Sequence, residues 1–253
     1  MAFTTLRYLL RSLKCRYRDH RTELDALLRG LAKGEVAIDV GANKGAFLWH
    51  FARRVGPAGR VVAIEPQPAL AAYLRTVVGS LGLRQVEIHA MAASDRQGRL
   101  PLHVPPAGTS PGATLVQGGH VPHDWTTVEV PTETLDALLA SESRRVAAMK
   151  VDVEGFEPEV FAGAEAILRA HRPVIVFECE ERHLECSRAA TSVSDVIAWL
   201  TARNYGVSFV HRGAAVDAGA YRPAVHQCRD IGRVGERFWD APDYCNNFIA
   251  VPH

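Results

Sequence analysis

The amino-acid sequence predicts an α/β protein with a doubly wound, mostly parallel sheet of seven strands. Three observations carry that reading. Short apolar runs alternate with helical patterns, the order expected of parallel strands joined by crossover helices. The runs are for the most part continuously apolar rather than alternating, as strands covered on both faces are. One of them leads into a glycine-bearing turn that opens a helix, an arrangement by which open α/β sheets hold ligands.

At 253 residues with 47% hydrophobic content, the chain can bury one sizeable core and lies near the upper limit for a single domain. It divides into a helical segment over 1–33, a ligand-binding core over 34–211, and a loop with a final strand over 212–253. Leu6, Leu9, Leu10 and Leu13 alternate with Arg7, Arg11, Lys14, Arg16 and Arg18. That pattern is a basic amphipathic helix, whose usual fate is to pack on its own domain, with docking on a membrane surface as the alternative. A second helix is expected from Asp19 to Leu31.

Strands follow at Val36–Val40, Arg60–Ile64, Gln85–Ala90, Val146–Val151, Pro173–Phe177, Gly206–His211 and Asn247–Val251. Between the first five lie helices at Gly45–Val55, Pro68–Leu81, Thr134–Leu139 and Pro158–Ala170. A further helix at Asp195–Arg203 has a capping-box start in Ser192-Val193-Ser194-Asp195. The segments His103–Thr127 and Arg212–Cys245 break the rhythm and are expected as long irregular loops of the kind that form functional lids or binding loops.

A net charge of +1 and a pI near 7.8 give no footprint for nucleic-acid binding. Cys15, Cys179, Cys186, Cys228 and Cys245 are odd in number and lack CxxC spacing, which suits a reducing cytoplasm better than a disulfide or zinc framework. No apolar run approaches the roughly 20 residues of a membrane span, and no cleaved secretory signal is expected.

The chemistry concentrates in four places. Val36–Gly45 reads Asp39-x-Gly41-x-x-x-Gly45, with Asn43 inside the turn. Glycines admit close backbone approach, the following helix start favours an anion, and an acid before the first glycine suits an ammonium and repels a pyrophosphate. Glu65, followed by the turn-forming Pro66, can accept both hydroxyls of a ribose. Small residues at Met91–Ala93, then Ser94 and Asp95, could admit an adenine ring. Finally Asp152, Glu154 and Glu157 after the fourth strand, and Glu178, Glu180 and Glu181 after the fifth, put carboxylates beyond adjacent strand ends. Such acids either hold a hard cation such as Mg²⁺, with Asp152, Glu178 and Glu180 as ligands, or act as a general base through Asp152, Glu154 or Glu178. His103, His120 and His123 are further bases, and Trp125, Tyr221, Trp239 and Tyr244 could stack on a sugar ring.

With these residues in place, the chain resembles the FkbM family of S-adenosylmethionine-dependent methyltransferases over roughly Val36–Glu178 and again at the carboxyl end. The matching pieces are IDVGANKG, EPQP, TLDALL, MKVDVEGFE with VFAGAEAIL, PVIVFE and NNFIAVP. The resemblance implies a Rossmann-like class I methyltransferase sheet with a final antiparallel strand. It implies O-methylation of a hydroxyl on a sugar, oligosaccharide or glycan precursor, with a polyketide or other natural-product hydroxyl as the alternative. In that reading Asp39, Gly41, Asn43 and Gly45 hold the methionine end, Glu65 the ribose, and Asp152 stands beside the transferred methyl. Mg²⁺ is an optional cofactor and a homodimer is held open. A nicotinamide-dependent oxidoreductase is disfavoured for want of G-x-G-x-x-G and a Tyr-x-x-x-Lys pair.

Overall fold

The structure is a computed structural model that describes residues 2–106, 112–115, 123–184, 192–229, 237 and 241–253, with only the backbone at 2 and 3. The chain opens with α1 (Ala2–Lys14), a π-helical turn over Cys15–Asp19, and α2 (Arg21–Gly30). Tyr8, Ser12 and Cys15 form the buried side of this segment. β1 (Val36–Val40), α3 (Leu48–Val55), β2 (Arg60–Ile64), α4 (Pro68–Ser80) and β3 (Val86–His89) then alternate as expected. Pro68 occupies the first turn of α4, where its missing N–H costs nothing.

The next stretch departs from expectation. β4 (Ala92–Ala93), β5 (Gly98–Val104) and β6 (Thr126–Glu133) form a separate three-stranded sheet in the order β4-β6-β5. The two ends of the segment 103–127 are therefore paired strand rather than free loop. Its ends pair His103 with Thr127 and Val104 with Thr126, and His103 also bridges to Thr114. The overlooked signal was the alternation Leu100, Leu102, Val104 facing Val128, Val130, Thr132, the period of a sheet with one covered face. Leu102, Leu115, Val130, Ala92 and Phe156 form a small core beneath it.

After α5 (Leu135–Leu138) and β7 (Val146–Val151), the helix expected over 158–170 is two, α6 (Glu157–Ala162) and α7 (Glu165–His171). They part at Gly163, where a Cβ would lie 1.9 Å from the Ser94 carbonyl oxygen. Asp136 caps the second, its carboxylate accepting from the N–H groups of Ala166 and Ile167 at 2.8 and 2.9 Å. β8 (Val174–Glu178), α8 (Glu181–Leu184), α9 (Val193–Thr201) and β9 (Tyr205–His211) follow. Ser192 and Asp195 complete the expected capping box on α9.

The segment 212–245 also carries structure: β10 (Ala214–Asp217), a 3₁₀ turn at Ala218–Ala220 and α10 (Pro223–His226) precede β11 (Asn247–Pro252). β10 folds back on β9 and adds an eighth strand to the seven expected, giving the order β10-β9-β11-β8-β7-β1-β2-β3. β11 runs antiparallel to both β8 and β9, while β1, β2, β3, β7 and β8 are parallel.

Both faces of the sheet are covered. Ile38, Val40, Met149, Ile175 and Phe177 pack against α5, α6, α7 and α9. Ala37, Ala63, Ala148, Val174 and Val176 pack against α2, α3 and α4. The strand order reverses at β1, with β2 and β3 on one side and β7 and β8 on the other. Open α/β sheets bind ligands in the crevice at such a switch point, beyond the carboxyl ends of the strands.

Candidate active site

A cleft opens at that switch point. Gly41, Asn43, Glu65, Pro66, Asp152, Glu154 and Glu178 line it, together with Ala92 and Ala93. Leu102, Ala113 and Leu115 supply an apolar wall, so the small sheet that the sequence did not announce closes one side of the cleft.

The glycine turn is built by direct contact between strand ends. Gly41 and Ala42 donate to the Ile64 carbonyl at 2.9 and 3.0 Å, and Asp152 N–H donates to Val40 O at 3.1 Å. Gly41 has φ +72, and a Cβ there would stand 1.8 Å from the Asp152 carbonyl oxygen. Only glycine fits between β1 and the end of β7. Gly45 faces away from the cleft, toward Leu74, Leu48 and Tyr8.

Glu65 is 2% exposed and accepts from Asn43 N–H at 2.7 Å and Gln67 N–H at 2.8 Å. Burial raises its carboxyl to about 7, against those two hydrogen bonds. One N–H per oxygen leaves each with a lone pair to spare for a hydroxyl donor. Ser94 is buried and donates to Asp95 at 3.0 Å; neither residue lines the cleft, where Ala92 and Ala93 provide the small surface instead.

Asp39 does not reach the cleft either. It is 1% exposed, neither of its oxygens has a hydrogen-bond partner, and burial raises its pKa despite the nearby Lys150. The Lys150 ammonium stands 3.5 Å from Asp39, 3.2 Å from Asp152 and donates to Gly41 O at 2.8 Å. Burial opposes its charge, but Asp152 and Asp39 outweigh that and raise its pKa. Lys150 is the functional residue the sequence reading passed over. Its signal was a lysine within an otherwise apolar strand, two residues before Asp152 and therefore on the same face, paired across the sheet with Asp39.

The remaining acids fall into distinct environments. Glu154, at φ +53, is 3.3 Å from His183 Nδ1. Burial and the charges of Asp152 and Glu180 raise its carboxyl. Burial also holds the His183 imidazole down at about 4, with Arg182 adding to the effect. Burial raises Glu178 well above its ordinary range, and Glu178 accepts from the Asn246 amide at 2.8 Å. Glu157 is structural: it accepts from the N–H groups of Val153 and Gly155, each at 3.2 Å, and ties down the turn that carries Glu154.

Glu180 corrects the expected metal set of Asp152, Glu178 and Glu180. Burial would raise it, but Arg182 at 2.5 and 3.1 Å and the Tyr244 hydroxyl bring it down to about 2. Its oxygens are committed to those partners, while Asp152 is committed to Lys150. Among the described residues no three His, Cys, Asp or Glu side chains are gathered to hold a metal ion. This donor set does not fit a divalent cation.

Of the other candidates, His103 contacts the Thr127 hydroxyl at 3.0 Å on the hairpin, His123 is exposed and Trp125 half-buried. Tyr221 is buried against Phe209 and Phe248. His120, Cys186 and Trp239 lie outside the described residues.

Comparison with known proteins follows the same lines. The chain aligns in structure with the methyltransferase FkbM from Methylobacillus flagellatus KT at a TM-score of 0.51 and 14% identity, covering 98% of this chain and 54% of that one. It therefore spans about half the length of that relative. A protein described as an rRNA methylase from Clostridium thermocellum gives a TM-score of 0.52 at 10% identity, over 91% of this chain and 94% of that one. SMU.1697c from Streptococcus mutans, described as a methyltransferase and solved with SAH, gives 0.51 at 10% identity over 92% and 97%. At such identities these likenesses speak for the fold. No curated protein matches the chain by sequence. The family model described as the methyltransferase FkbM domain matches residues 39–207, a span that runs from the glycine turn through both acidic strand ends, and the chain belongs to that family.

Proposed function

We propose that the protein transfers a methyl group from S-adenosylmethionine to a hydroxyl of a sugar, oligosaccharide or glycan precursor. The observation that carries this reading is the convergence, in one cleft, of the Gly41–Asn43 turn and Glu65 on one side with Asp152, Glu154 and Glu178 on the other. Gly41 and Asn43 would receive the methionine end, Glu65 the ribose hydroxyls, and Ala92 with Ala93 the base. Asp39 contributes through Lys150, which fixes the turn. When bound, S-adenosylmethionine supplies an electrophilic methyl on a sulfonium.

The chain's own residues then do two things. The cleft walls orient the acceptor hydroxyl, since displacement at the methyl carbon requires alignment with the departing sulfur. Glu154, its pKa raised by burial and its carboxyl held against His183, takes the hydroxyl proton as general base, a role favoured when the pKa nears the working pH. No step is assigned to Mg²⁺, because the carboxylates are not gathered for it. The acids at the cleft suit an acceptor rich in hydroxyl donors, which favours a sugar over a polyketide. They also oppose a pyrophosphate, which counts against a nicotinamide dinucleotide.

The test is calorimetric titration with S-adenosylhomocysteine and with NAD, followed by transfer of labelled methyl to a panel of hydroxylated acceptors. Binding of the thioether, weakened in Glu65→Ala, and an O-methylated sugar product are expected. Glu154→Gln should lower kcat by about 10²–10⁴-fold while leaving thioether affinity in place. Binding of NAD but not the thioether would overturn the reading.

A further inference from the structure

The first helix carries more apolar surface than its packing uses. One face of α1 is clamped to the domain: Tyr8 and Ser12 are fully buried, Ser12 donates to Ala46 O at 3.0 Å, and His50 Nε2 meets Ser12 O at 2.9 Å. The opposite face leaves Leu6 54%, Leu10 57% and Leu13 46% exposed, and Tyr17 in the π-helical turn that follows is 74% exposed. Positions 6, 10 and 13 follow one helical stripe, so the leucines are a continuous ridge, with Tyr17 exposed in the turn just beyond it. The other large hydrophobics exposed among the described residues, Val128, Val225 and Val251, sit singly on β6, α10 and β11.

Charge selects the occupant. From position 4 to 18 the chain has Arg7, Arg11, Lys14, Arg16 and Arg18 and no acid. Arg7, Lys14 and Arg18 are exposed along one border of the ridge. Asp19 lies 3.1 Å from Lys14 and 3.8 Å from Arg18, one carboxylate between two cations, while Arg16 pairs with Asp25 and Arg11 reaches the Tyr73 hydroxyl at 3.4 Å. A leucine ridge bordered by cations matches a bilayer surface, with acyl chains for the leucines and anionic headgroups for the bases. A second copy of the chain fits less well. A two-fold contact would set the same cationic border against itself, and four side chains fall far short of the roughly 20–30 residues a side of a stable interface.

We propose that α1, with the turn after it, is a peripheral membrane-docking helix, which lays Leu6, Leu10, Leu13 and Tyr17 into the surface of a bilayer containing anionic lipid. No helix among the described residues is long and apolar enough to span a membrane, and none is needed for this mode. The same helix abuts the cofactor turn, since a Cβ on Gly45 would lie 3.2 Å from the Tyr8 ring, so docking would hold the catalytic domain by an element next to its cleft.

The test is co-sedimentation of the whole chain with vesicles of phosphatidylcholine alone and of phosphatidylcholine mixed with phosphatidylglycerol. Binding to the mixed vesicles is expected, at least about tenfold stronger than to phosphatidylcholine and weakened by salt. The double variant Leu6→Ser/Leu10→Ser, at two exposed positions, should lose at least about tenfold in vesicle binding with its melting temperature unchanged. Failure of the parent chain to sediment with mixed vesicles would overturn the proposal, as would undiminished binding by the double variant. A dimer in sedimentation velocity that the double variant dissolves would also overturn it, and would assign the ridge to a second copy.

Discussion

Replacing Lys150 by Met tests the electrostatic floor of the cleft. The ammonium is the only cation within 4 Å of the Asp39 carboxylate among the described ion pairs, and Asp39 has no hydrogen bond to fall back on. Removing one partner of a buried pair costs about 3–5 kcal/mol, because the other charge is left uncompensated. For a chain of this size that corresponds to a fall in melting temperature of roughly 6–20 °C. Met keeps the length and apolar volume of the lysine stem, so little of the loss would come from a cavity. The sign of the pH dependence follows from Asp39, whose pKa burial already raises. Without Lys150 it rises further, so lowering the pH protonates the stranded carboxylate and the difference between variant and parent shrinks. Adding Asp39→Asn should recover most of the loss. Thermal and urea unfolding of the parent, both single variants and the double variant, across a range of pH, measures all of this. A loss below about 1 kcal/mol, the level of an exposed pair, or a loss that grows on acidification, would refute the reasoning.

Three further outcomes follow from individual positions. Gly41→Ala meets both a positive φ and a carbonyl oxygen 1.8 Å from the new Cβ, whereas Gly34→Ala meets a positive φ of +83 and nothing within 4 Å. Chemical denaturation should show about 1–2 kcal/mol lost at Gly34 and about 1–3 kcal/mol more at Gly41, with thioether binding lost only at Gly41; equal losses would deny the close approach of β1 to β7. Because Glu65 is raised to about 7 and must be ionised to accept two hydroxyls, S-adenosylhomocysteine affinity should climb with pH up to that value and level off above it, and Glu65→Gln should flatten the profile. The same raised pKa means the fold holds a proton there that the unfolded chain releases above about 4.5, so the Glu65 contribution to stability declines as pH rises through that window. Gly79→Ala, in the exposed last turn of α4 with nothing within 4 Å of the new Cβ, should stabilise by about 0.5–1 kcal/mol, and a lower melting temperature would contradict the helical conformation.

The sequence by itself determined the alternation of strands and helices, because runs such as Val36–Val40 and Val146–Val151, apolar except for Asp39 and Lys150, have few alternatives to a doubly covered sheet. It also determined which strand ends carry Gly41, Asn43, Glu65, Asp152, Glu154 and Glu178, since the acids and glycines follow those runs directly. Local chemistry sufficed there. Tertiary structure alone decided what each acid does. Glu180 and Glu178 are two residues apart, yet one is ion-paired with Arg182 and pulled down to about 2 while burial raises the other; that difference depends on the local Arg182 folding back onto Glu180 and on Tyr244 reaching it from far along the chain. Asp39 lies beneath the cleft because Lys150 meets it across strands distant in sequence. The split of α6 from α7 depends on Ser94 pressing against Gly163, and the hairpin wall depends on pairing Gly98–Val104 with Thr126–Glu133 over an intervening stretch rich in Pro and Gly. Apart from the Arg182 pair, the deciding contacts are long-range, and a pattern read within one window of the chain does not contain them.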